Sequence, residues 1–469
     1  MATPTLNETR QRLERTGQQH LLAFWDSLDE AKRAHLLSEV ARLPLEHLAS
    51  MLSQAASLQK PAANDIRPVR PALRNGPDGD KYRAIGADLV RRGKVAAFVV
   101  AGGQGTRLGW KGPKGTFPAT PVAGKPLFRV FAEQIVAAER TYGARIPWYV
   151  MTSEANHAET EAFFEDNRWF GRSPADTMLF VQGMVPSVSL DGRVLLEEPW
   201  QPALNPDGHG GSLKALRTAG ALEHMQSLGI EHLCYFQVDN PNVHVIDPLF
   251  LGLHVASPES SAEMSSKSVL KRDPTEKVGV FVKAPRLTVL EYSDAPQDVL
   301  EARDAQGEML YGEGSIAIHA IGVDFIRRIT DHPLGSVLPW HRAIKKVPHV
   351  DVTTGQRVEP AEANAIKLET FVFDALKEAQ APIVMRTDRV EEFAPIKNGS
   401  GEDSPATSRA LQVERAVRWL RDAGIQVPCH ANGAPDCMVE ISPLTASGPD
   451  DLRRNPPKKP IVAGGEFLL

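Results

Sequence analysis

The feature that most constrains the fold is a short apolar run that ends in glycines. Residues 95–101 read Val-Ala-Ala-Phe-Val-Val-Ala, and Gly102, Gly103 and Gly105 follow. An uninterrupted apolar run of this length is typical of a strand buried on both faces of a parallel sheet. Glycines after such a strand let the backbone bend tightly and bring N–H groups close to an anion. The sequence therefore predicts an open α/β sheet with an anion-binding loop at its carboxyl edge.

Further apolar runs alternate with helical patterns along the chain. The predicted strands are 148–152, 178–181 and 233–238, and the predicted helices between them are 126–142, 155–167 and 212–228. Strands that alternate with helices of this length indicate βαβ units and a mostly parallel sheet. Farther on, residues 278–292 are predicted to form an antiparallel hairpin over the sheet, and 366–379 and 405–424 are predicted to be helical.

The ends of the chain have a different texture from the middle. Residues 6–57 have apolar side chains at helical spacing, with Asp29 and Ser38 as candidate helix starts, and the Pro- and Gly-rich stretch 58–80 is predicted to be a loop. The tail after Ser447 is expected to be loose until Ile461. We therefore expect a helical region and linker at 1–92, a catalytic domain at 93–398 and a small region at 399–469.

Composition excludes several classes of protein. The 469 residues carry a net charge of −5, so no overall basic field would recruit nucleic acid. No stretch approaches the ~18 apolar residues of a membrane span, and we expect neither a signal peptide nor a membrane partner. The three cysteines fit no zinc or disulfide pattern, which indicates a reduced, cytoplasmic protein. The oligomeric state is not indicated.

Two cationic residues adjoin the glycine-rich loop, and their charge favours a phosphate-containing ligand. Arg107 and Lys114 add positive charge beside the bent backbone, as a phosphate site requires. The loop is not a Walker A motif, because no Gly-Lys-Ser/Thr follows at the required spacing. It is not a dinucleotide fingerprint either, since Leu108 stands where the third glycine belongs, and this disfavours an oxidoreductase.

An acidic residue follows the predicted strand 233–238. A carboxylate at the position of Asp239 can hold Mg²⁺ against the phosphates of a nucleotide. Asn240-Pro241 is also typical of a turn, so the residues alone are equally compatible with a structural aspartate. Asp247, which precedes Pro248, is the better candidate for a purely helix-capping role.

The loop Gly-Gly-x-Gly-Thr-Arg-Leu-Gly, with Pro-Lys downstream, resembles the signature of the eukaryotic-type UDP-sugar pyrophosphorylases. Further motifs of that family occur in the expected order, beginning at Gly183, Pro206, Val238, Lys277, Leu290, Phe371 and Phe393. The nearest branch is similar to the UDP-N-acetylhexosamine pyrophosphorylases. The resemblance implies a Rossmann-like, GT-A-like nucleotidyltransferase fold, with a mixed sheet flanked by helices. It implies a Mg²⁺-dependent uridylyltransferase that makes a UDP-sugar and pyrophosphate from UTP and a sugar 1-phosphate.

The resemblance also implies which residues bind the substrates. Those implied for UTP are Ala101, Gly102, Gly103, Lys114, Gln182, Gly208, Asp239 and Lys367, and Asp239 is also the implied metal ligand. Those implied for the sugar phosphate are His209, Gly279, Glu291, Tyr292, Ser315, Phe371, Phe373 and Lys397. The expected catalytic residues are Arg107, Lys114 and Lys397. The amide of Gln182 offers a donor and an acceptor to the edge of uracil, and Gly208 would let the chain approach the base or sugar closely.

Two positions leave the identity of the sugar open. The N-acetylhexosamine branch has Gly-Asn-Gly-Gly and the glucose branch Gly-His-Gly-Asp where this chain has Gly208-His209-Gly210-Gly211. The acetyl branch also has Gly-Asn-Ile where this chain has Gly-Ser315-Ile. We expect N-acetylglucosamine 1-phosphate as the substrate, with glucose or galactose 1-phosphate as the alternative. A non-catalytic UDP-sugar-binding protein is a remote alternative, because the expected catalytic residues and Asp239 are all present.

Overall fold

The computed structural model describes residues 4–59, 61–333 and 335–469. The helices in these ranges are α1 (Leu6–Thr16), α2 (Glu30–Arg42), α3 (Leu45–Ser57), α4 (Gly79–Arg91), α5 (Leu127–Tyr142), α6 (His157–Asp166), α7 (Gly211–Thr218), α8 (Ala221–Ser227), α9 (Pro248–Ala256), α10 (Gln297–Glu301), α11 (Val323–Thr330), α12 (Ala375–Glu378), α13 (Arg389–Glu392), α14 (Pro405–Asp422) and α15 (Pro449–Arg454).

The strands in the same ranges are β1 (Arg67–Pro68), β2 (Ala72–Leu73), β3 (Val95–Val100), β4 (Trp148–Thr152), β5 (Thr177–Val181), β6 (Met184–Pro186), β7 (Val188–Ser189), β8 (Leu196–Glu198), β9 (Gln201–Pro202), β10 (Leu204–Pro206), β11 (His232–Gln237), β12 (Met264–Leu270), β13 (Val280–Lys283), β14 (Leu287–Leu290), β15 (Glu313–Gly322), β16 (His341–Lys345), β17 (His349–Val350), β18 (Arg357–Val358), β19 (Ala365–Glu369), β20 (Ile383–Arg386), β21 (Cys437–Glu440) and β22 (Gly465–Leu468).

The chain divides into two compact units, and each is assembled from separate stretches of sequence. The first unit comprises 1–60, 182–215 and 329–375, and the second comprises 61–181, 216–328 and 376–469. The predicted regions 1–92, 93–398 and 399–469 describe consecutive segments of sequence, and their boundaries stay a prediction.

A mixed sheet forms the core of the second unit. Its strand order is β2-β20-β12-β15-β11-β3-β4-β5, and β1, β13 and β14 join it through β13. Strands β11, β3, β4 and β5 run parallel, as the βαβ pattern predicts. Strand β15 is antiparallel to both of its neighbours in this order, β11 and β12, which makes the sheet mixed. The predicted fold class, a mixed α/β sheet with flanking helices, is confirmed.

The apolar runs lie where the sheet is buried. All five residues of β4 and the first five of β3 are buried, and the four predicted strands agree with the structure to within one residue at each end. Helix α5 packs its apolar face on this sheet, with the Phe131 ring 5.0 Å from that of Phe236 in an edge-to-face contact. The predicted helix 212–228 is interrupted. Gly220, at φ +74°, separates α7 from α8.

The first unit contains the N-terminal helices and several small sheets. Helices α1 to α3 bury leucines such as Leu13, Leu36 and Leu48 in one cluster with Leu368 of β19. Strand β19 pairs with β16 and β7, and β10 with β6. Asp29 caps α2 by accepting the N–H of Lys32, as predicted. Ser38 lies inside α2, so its assignment as a helix start is wrong.

Four other predictions about secondary structure need correction. The first part of 366–379 is strand β19, because pairing with β16 and β7 overrides its local helical pattern. The 278–292 hairpin forms, but it extends the sheet, since Val280 pairs with Gly314 of β15. The stretch 58–80 contains β1, β2 and the start of α4. The tail after Ser447 contains α15, and β22 pairs with β21.

A close helix crossing explains two glycines that the sequence left unassigned. A Cβ on Gly86 of α4 would lie 1.8 Å from the carbonyl oxygen of Pro248, at the start of α9. A Cβ on Gly252 of α9 would lie 1.8 Å from the carbonyl oxygen of Tyr82, in α4. The two helices therefore pack backbone to backbone beside the sheet. Among the described residues, no helix combines the length and apolarity that crossing a membrane would need.

Candidate active site

The glycine-rich loop begins where β3 ends, and its own hydrogen bonds fix its shape. The N–H of Lys114 donates to the carbonyl of Gly103 at 3.0 Å, and the N–H of Gly105 donates to that of Gly112 at 2.9 Å. The side-chain amide of Asn156 donates to the carbonyl of Ala101 at 3.1 Å. These hydrogen bonds within the protein therefore close the loop on itself.

Three consecutive N–H groups of this loop remain without a protein partner. Within the described ranges, the amides of Gly102, Gly103 and Gln104 donate to no protein acceptor. No protein atom lies within 4 Å of the position that a Cβ of Gly103 would take, and its φ does not require glycine. Protein packing therefore gives no reason for the glycine, whereas close approach of an anion to these amides does.

Asp239 lies level with this loop, just beyond the end of the neighbouring strand β11. Strands β3 and β11 are parallel, with Val100 opposite Gln237, and the N–H of Val238 donates to the carbonyl of Val100 at 3.1 Å. Asp239 follows directly and is half-buried. In the part of the chain that the structure describes, its carboxylate has no hydrogen-bond donor or cation as a partner.

Lys397 lies at the same edge of the sheet, although it is distant in sequence from both the loop and Asp239. The N–H of Ile396 donates to the carbonyl of Asp239 at 2.8 Å. A Cβ on Gly399 would lie 3.2 Å from the carbonyl oxygen of Arg107, so the segment after Lys397 packs against the glycine-rich loop. The Lys397 ammonium lies 3.6 Å from the carboxylate of Asp403. The structure therefore brings together the loop, Asp239 and Lys397.

The two cationic side chains of the loop, Arg107 and Lys114, pair with no carboxylate among the described residues. Neither the exposed Arg107 nor the half-buried Lys114 forms a side-chain hydrogen bond or ion pair with another described residue. Lys367 likewise has no such partner among those residues, and it lies on β19 opposite Ala343 rather than on a helix face. All three remain predicted phosphate-binding residues.

Three of the predicted sugar-binding residues are neighbours in the second unit. The N–H of Ser315 donates to the carbonyl of Gly279 at 2.8 Å. A Cβ on Gly279 would lie 2.7 Å from a methyl group of Val289 and 3.2 Å from the Glu291 carboxylate, so a larger residue at 279 would require the hairpin side chains to shift. Tyr292 follows, with 45% of its side chain exposed.

In the first unit, the NH₂ group of the Gln182 side chain has two acceptors within the protein, and its predicted contact with uracil stays a prediction. Its NH₂ group donates to the Asp207 carboxylate at 3.2 Å and to the carbonyl of Gly208 at 2.8 Å. Only its oxygen is left, and that oxygen can accept the N3–H of uracil. Burial raises the pKa of Asp207 to about 6, although Gln182 and Lys214 both act to lower it.

Gly208 is required for a different reason from the one that the sequence suggested. Its φ is +81°, and a Cβ would lie 2.3 Å from the carbonyl oxygen of Thr370. The close approach that needs glycine is therefore to the protein's own backbone, where the N–H of Thr370 donates to the carbonyl of Asp207. Its predicted contact with uridine stays a prediction.

His209 lies in an aromatic cluster with Phe371 and Phe373, which are also predicted to bind the sugar phosphate. Its ring stacks on Phe371 with centroids 5.3 Å apart and lies 5.7 Å from Phe373. Burial lowers the pKa of His209 to about 4, so the ring is neutral at neutral pH. Because Nδ1 accepts the N–H of Val372 at 3.1 Å, the single ring proton lies on Nε2.

Sequence reasoning missed two residues of this cluster. The His341 ring lies 4.4 Å from that of Phe371, and its Nε2 lies 2.7 Å from the buried carboxylate of Asp374. Asp374 ends the Phe-Val-Phe-Asp motif and could have been found there. His341 lies on β16 in a segment without a motif, so only the pairing of β16 with β19 reveals it.

The donor set fits a magnesium ion that is shared with a nucleotide. The described residues contain no group of three or more His, Cys, Asp or Glu side chains arranged to hold a metal. Mg²⁺ is commonly bound by one or two carboxylates together with substrate phosphates and water. The unpartnered carboxylate of Asp239, beside free N–H donors, matches that arrangement and not an all-protein metal cage.

Comparison with known proteins identifies the family. A family model described as UTP–glucose-1-phosphate uridylyltransferase matches residues 51–418. The human UDP-N-acetylhexosamine pyrophosphorylase-like protein 1 is 35% identical over 95% of this chain and 94% of its own. The UDP-N-acetylglucosamine pyrophosphorylase of Saccharomyces cerevisiae is 32% identical over 89% of this chain and 92% of its own.

A solved structure shares the fold over nearly the full length. The uridine diphosphate N-acetylglucosamine pyrophosphorylase of Trypanosoma brucei, solved with an inhibitor, has a TM-score of 0.79 at 28% identity. The match covers 99% of this chain and 98% of that one. Fold and site thus define a nucleotidyltransferase of the UDP-sugar pyrophosphorylase type. The chain belongs to the UTP–glucose-1-phosphate uridylyltransferase family.

Replacing Gly103 with alanine should weaken the binding of UTP without loss of stability. The added methyl group meets no protein atom beyond the two neighbouring residues and adds bulk beside the three amides that are predicted to bind an anion. We expect the dissociation constant for UTP, measured by calorimetry, to rise at least about tenfold, which is ~1.4 kcal/mol. The control is Gly448→Ala, because Gly448 also has open space and an extended backbone, with φ 176°. Equal affinity of Gly103→Ala and wild type would contradict the assigned role.

Proposed function

We propose that this chain transfers the uridylyl group of UTP to N-acetylglucosamine 1-phosphate, with Mg²⁺, and releases pyrophosphate. The observation that carries the proposal is the edge of the sheet in the second unit. There, three N–H groups without a protein partner and the unpartnered Asp239 lie beside the backbone segment that carries Lys397. The described residues contain no disulfide, and the three free cysteines support the predicted cytoplasmic location.

The proposed chemistry is an in-line displacement at the α-phosphorus of UTP. A phosphate oxygen of the sugar 1-phosphate attacks, and pyrophosphate leaves. The attacking oxygen is already an anion, so no general base is needed. The difficulty is to bring two polyanions together, and positioned positive groups overcome it by stabilising the transition state.

Each protein group has one electrostatic task in this scheme. The amides of residues 102–104, with Arg107 and Lys114, hold the β- and γ-phosphates and stabilise the leaving pyrophosphate. Lys397 neutralises the incoming sugar phosphate, for which its ammonium turns away from Asp403. Mg²⁺ on Asp239 would supply the charge that offsets the anionic α-phosphate.

Two observations support an acetamido sugar over glucose. The buried carboxylate of Asp207 would lie 1.9 Å from a Cβ on Gly211, so an aspartate at 211, as in the glucose pattern, is excluded here. The wall of Phe371 and Phe373 offers apolar surface for an acetyl methyl group. The human and yeast relatives, which are named for N-acetylhexosamine and N-acetylglucosamine, point the same way.

The histidine of the glucose pattern is compatible with either sugar. Neutral His209 carries its proton on Nε2, so it can donate one hydrogen bond in the way that an asparagine amide does. Such a donor suits the carbonyl oxygen of an acetamido group as well as a sugar hydroxyl. Glucose 1-phosphate therefore remains the alternative substrate.

Replacing Lys397 with alanine should slow the reaction strongly. Loss of one positioned charge that stabilises the transition state costs roughly 10²- to 10³-fold in kcat. The measurement is pyrophosphate release from UTP and sugar 1-phosphate at saturating substrate. Lys459→Ala, which removes an exposed lysine of the C-terminal tail, should stay within about threefold of wild type. A rate for Lys397→Ala within about threefold of wild type would show that the assigned role is wrong.

A panel of sugar 1-phosphates identifies the substrate. We expect kcat/KM with N-acetylglucosamine 1-phosphate to exceed that with glucose 1-phosphate by roughly 10- to 100-fold, since an acetyl group in an apolar pocket gives discrimination of that order. A preference for glucose or galactose 1-phosphate would support the alternative. No turnover with any sugar, together with a thermal shift by UTP, would indicate a UDP-sugar-binding protein instead.

A further inference from the structure

Two buried asparagine side chains join the segment that carries Asp239 to the segment that carries Lys397. The Nδ2 of Asn240 donates to the carbonyl of Glu392 at 2.6 Å, and its Oδ1 accepts the N–H of Ala394 at 3.0 Å. The Nδ2 of Asn242 donates to the carbonyl of Val390 at 2.9 Å. We name these two side chains, Asn240 and Asn242, the amide latch.

The latch provides hydrogen-bond partners to backbone groups that are not paired within a helix or a strand. Glu392 is the last residue of α13, and Ala394 lies beyond it in a segment without regular structure. The carbonyl of Glu392 and the N–H of Ala394 are both bonded by the one amide of Asn240, which is only 3% exposed. An apolar side chain at 240 would leave both backbone groups buried without a partner.

A buried cluster of charged side chains also contacts these two segments. The Lys267 ammonium, on β12 and fully buried, lies 2.7 Å from the Asp247 carboxylate and 2.5 Å from that of Glu392. Arg74 lies 2.6 Å from Asp247 and completes the cluster. Glu392 thus takes part twice, with its carbonyl in the latch and its carboxylate on Lys267. Burial alone would raise the pKa of Asp247, but Arg74 and Lys267 hold it well below its ordinary value.

The side chains of Asp239 and Lys397 do not hold each other in place. The Lys397 ammonium pairs with Asp403 at 3.6 Å, while the Asp239 carboxylate has no partner among the described residues. Their separation is therefore set by the backbone, through the latch and the bond from Ile396 to Asp239. Positioned catalysis requires such spacing to be held without help from the substrate.

We propose that Asn240 is a positioning residue that fixes Asp239 relative to Lys397. The inference rests on the proposed function, because it assigns the spacing of these two groups to the uridylyl transfer. Asn240 touches no substrate in this scheme and acts through the two segments that it joins. Its replacement therefore changes the rate of the bound complex and leaves the binding of UTP to the glycine-rich loop intact.

The first test is Asn240→Ala, with kcat, KM and UTP affinity measured on the folded enzyme. We expect kcat to fall roughly 10- to 100-fold, as for a displacement of about 1 Å at a reacting centre, with the UTP dissociation constant within about threefold of wild type. The control is Asn364→Ala, because the Asn364 amide also binds one backbone N–H and one carbonyl, both of Val347. That control should lower stability and leave kcat within about threefold.

The second test is Asn240→Asp, which keeps the shape of the side chain and makes the latch depend on pH. A protonated aspartic acid can donate to the carbonyl of Glu392 and accept from the N–H of Ala394, whereas the carboxylate cannot donate. Activity relative to wild type should therefore rise as the pH falls, while the ratio for Asn240→Ala stays flat. The rates are compared at pH values where circular dichroism shows the variant fully folded, so a role limited to stability would leave this ratio flat.

The outcomes separate the latch from the proposed function. Hydrogen exchange of residues 393–398 should be faster in Asn240→Ala, and that of the glycine-rich loop should be unchanged. If wild type turns over and both variants keep wild-type kcat, the latch proposal is overturned and the proposed function stands. If the wild type releases no pyrophosphate with any sugar 1-phosphate, the proposed function fails and the catalytic role of the latch fails with it.

Discussion

The pairing of β3 with β11 is the contact on which the rest of the active site depends. These parallel strands end level with each other, so the free amides of residues 102–104 and the carboxylate of Asp239 emerge side by side. A slip of one residue in this register would move the side chains of the slipped strand to the other face of the sheet and would offset Asp239 from the glycine-rich loop. Strand β3 is buried on both faces, which fixes the register and hence the site.

Electrostatics at this edge is local and does not follow from the charge of the whole chain. The net charge of −5 repels a triphosphate, so binding has to come from groups concentrated at one place. Free N–H groups of a loop that is already closed add partial charge at little cost in reorganisation. Where the first unit buries ionisable groups, it favours the neutral form instead. Burial lowers the pKa of His209 and raises that of Asp207.

Local pattern was enough to predict the parts of the fold that are locally determined. The run at 95–101 predicted β3 because a strand buried on both faces needs an uninterrupted apolar segment. Asp247 was predicted as a helix cap and does cap α9. By contrast, Lys367 lies on a strand because β16 and β7 pair with it, and those partners are distant in sequence. His341 likewise joins the aromatic cluster only through the pairing of β16 with β19. The side chain of Asn240 binds partners that lie about 150 residues away in the sequence.

The family motifs located site residues that the pattern alone could not assign. Glu291 and Lys367 were compatible with ordinary surface positions, and only the resemblance singled them out. For Gln182 and Gly208, the motif identified the positions as site residues but did not indicate the contacts that they make within the protein. The Gln182 donors serve Asp207 and Gly208, and Gly208 is needed for a backbone contact with Thr370. Such roles depend on three-dimensional neighbours, which a sequence motif does not contain.

The central claim is that Asp239 joins a metal ion to the polyphosphate held by the loop. The most direct measurement is the affinity for UTP, by calorimetry, with and without Mg²⁺ in wild type and in Asp239→Asn. The account predicts that Mg²⁺ tightens UTP binding to wild type by at least about tenfold, ~1.4 kcal/mol, and changes it by less than about threefold in the variant. An Asp239→Asn protein that keeps the full effect of Mg²⁺ would contradict the account.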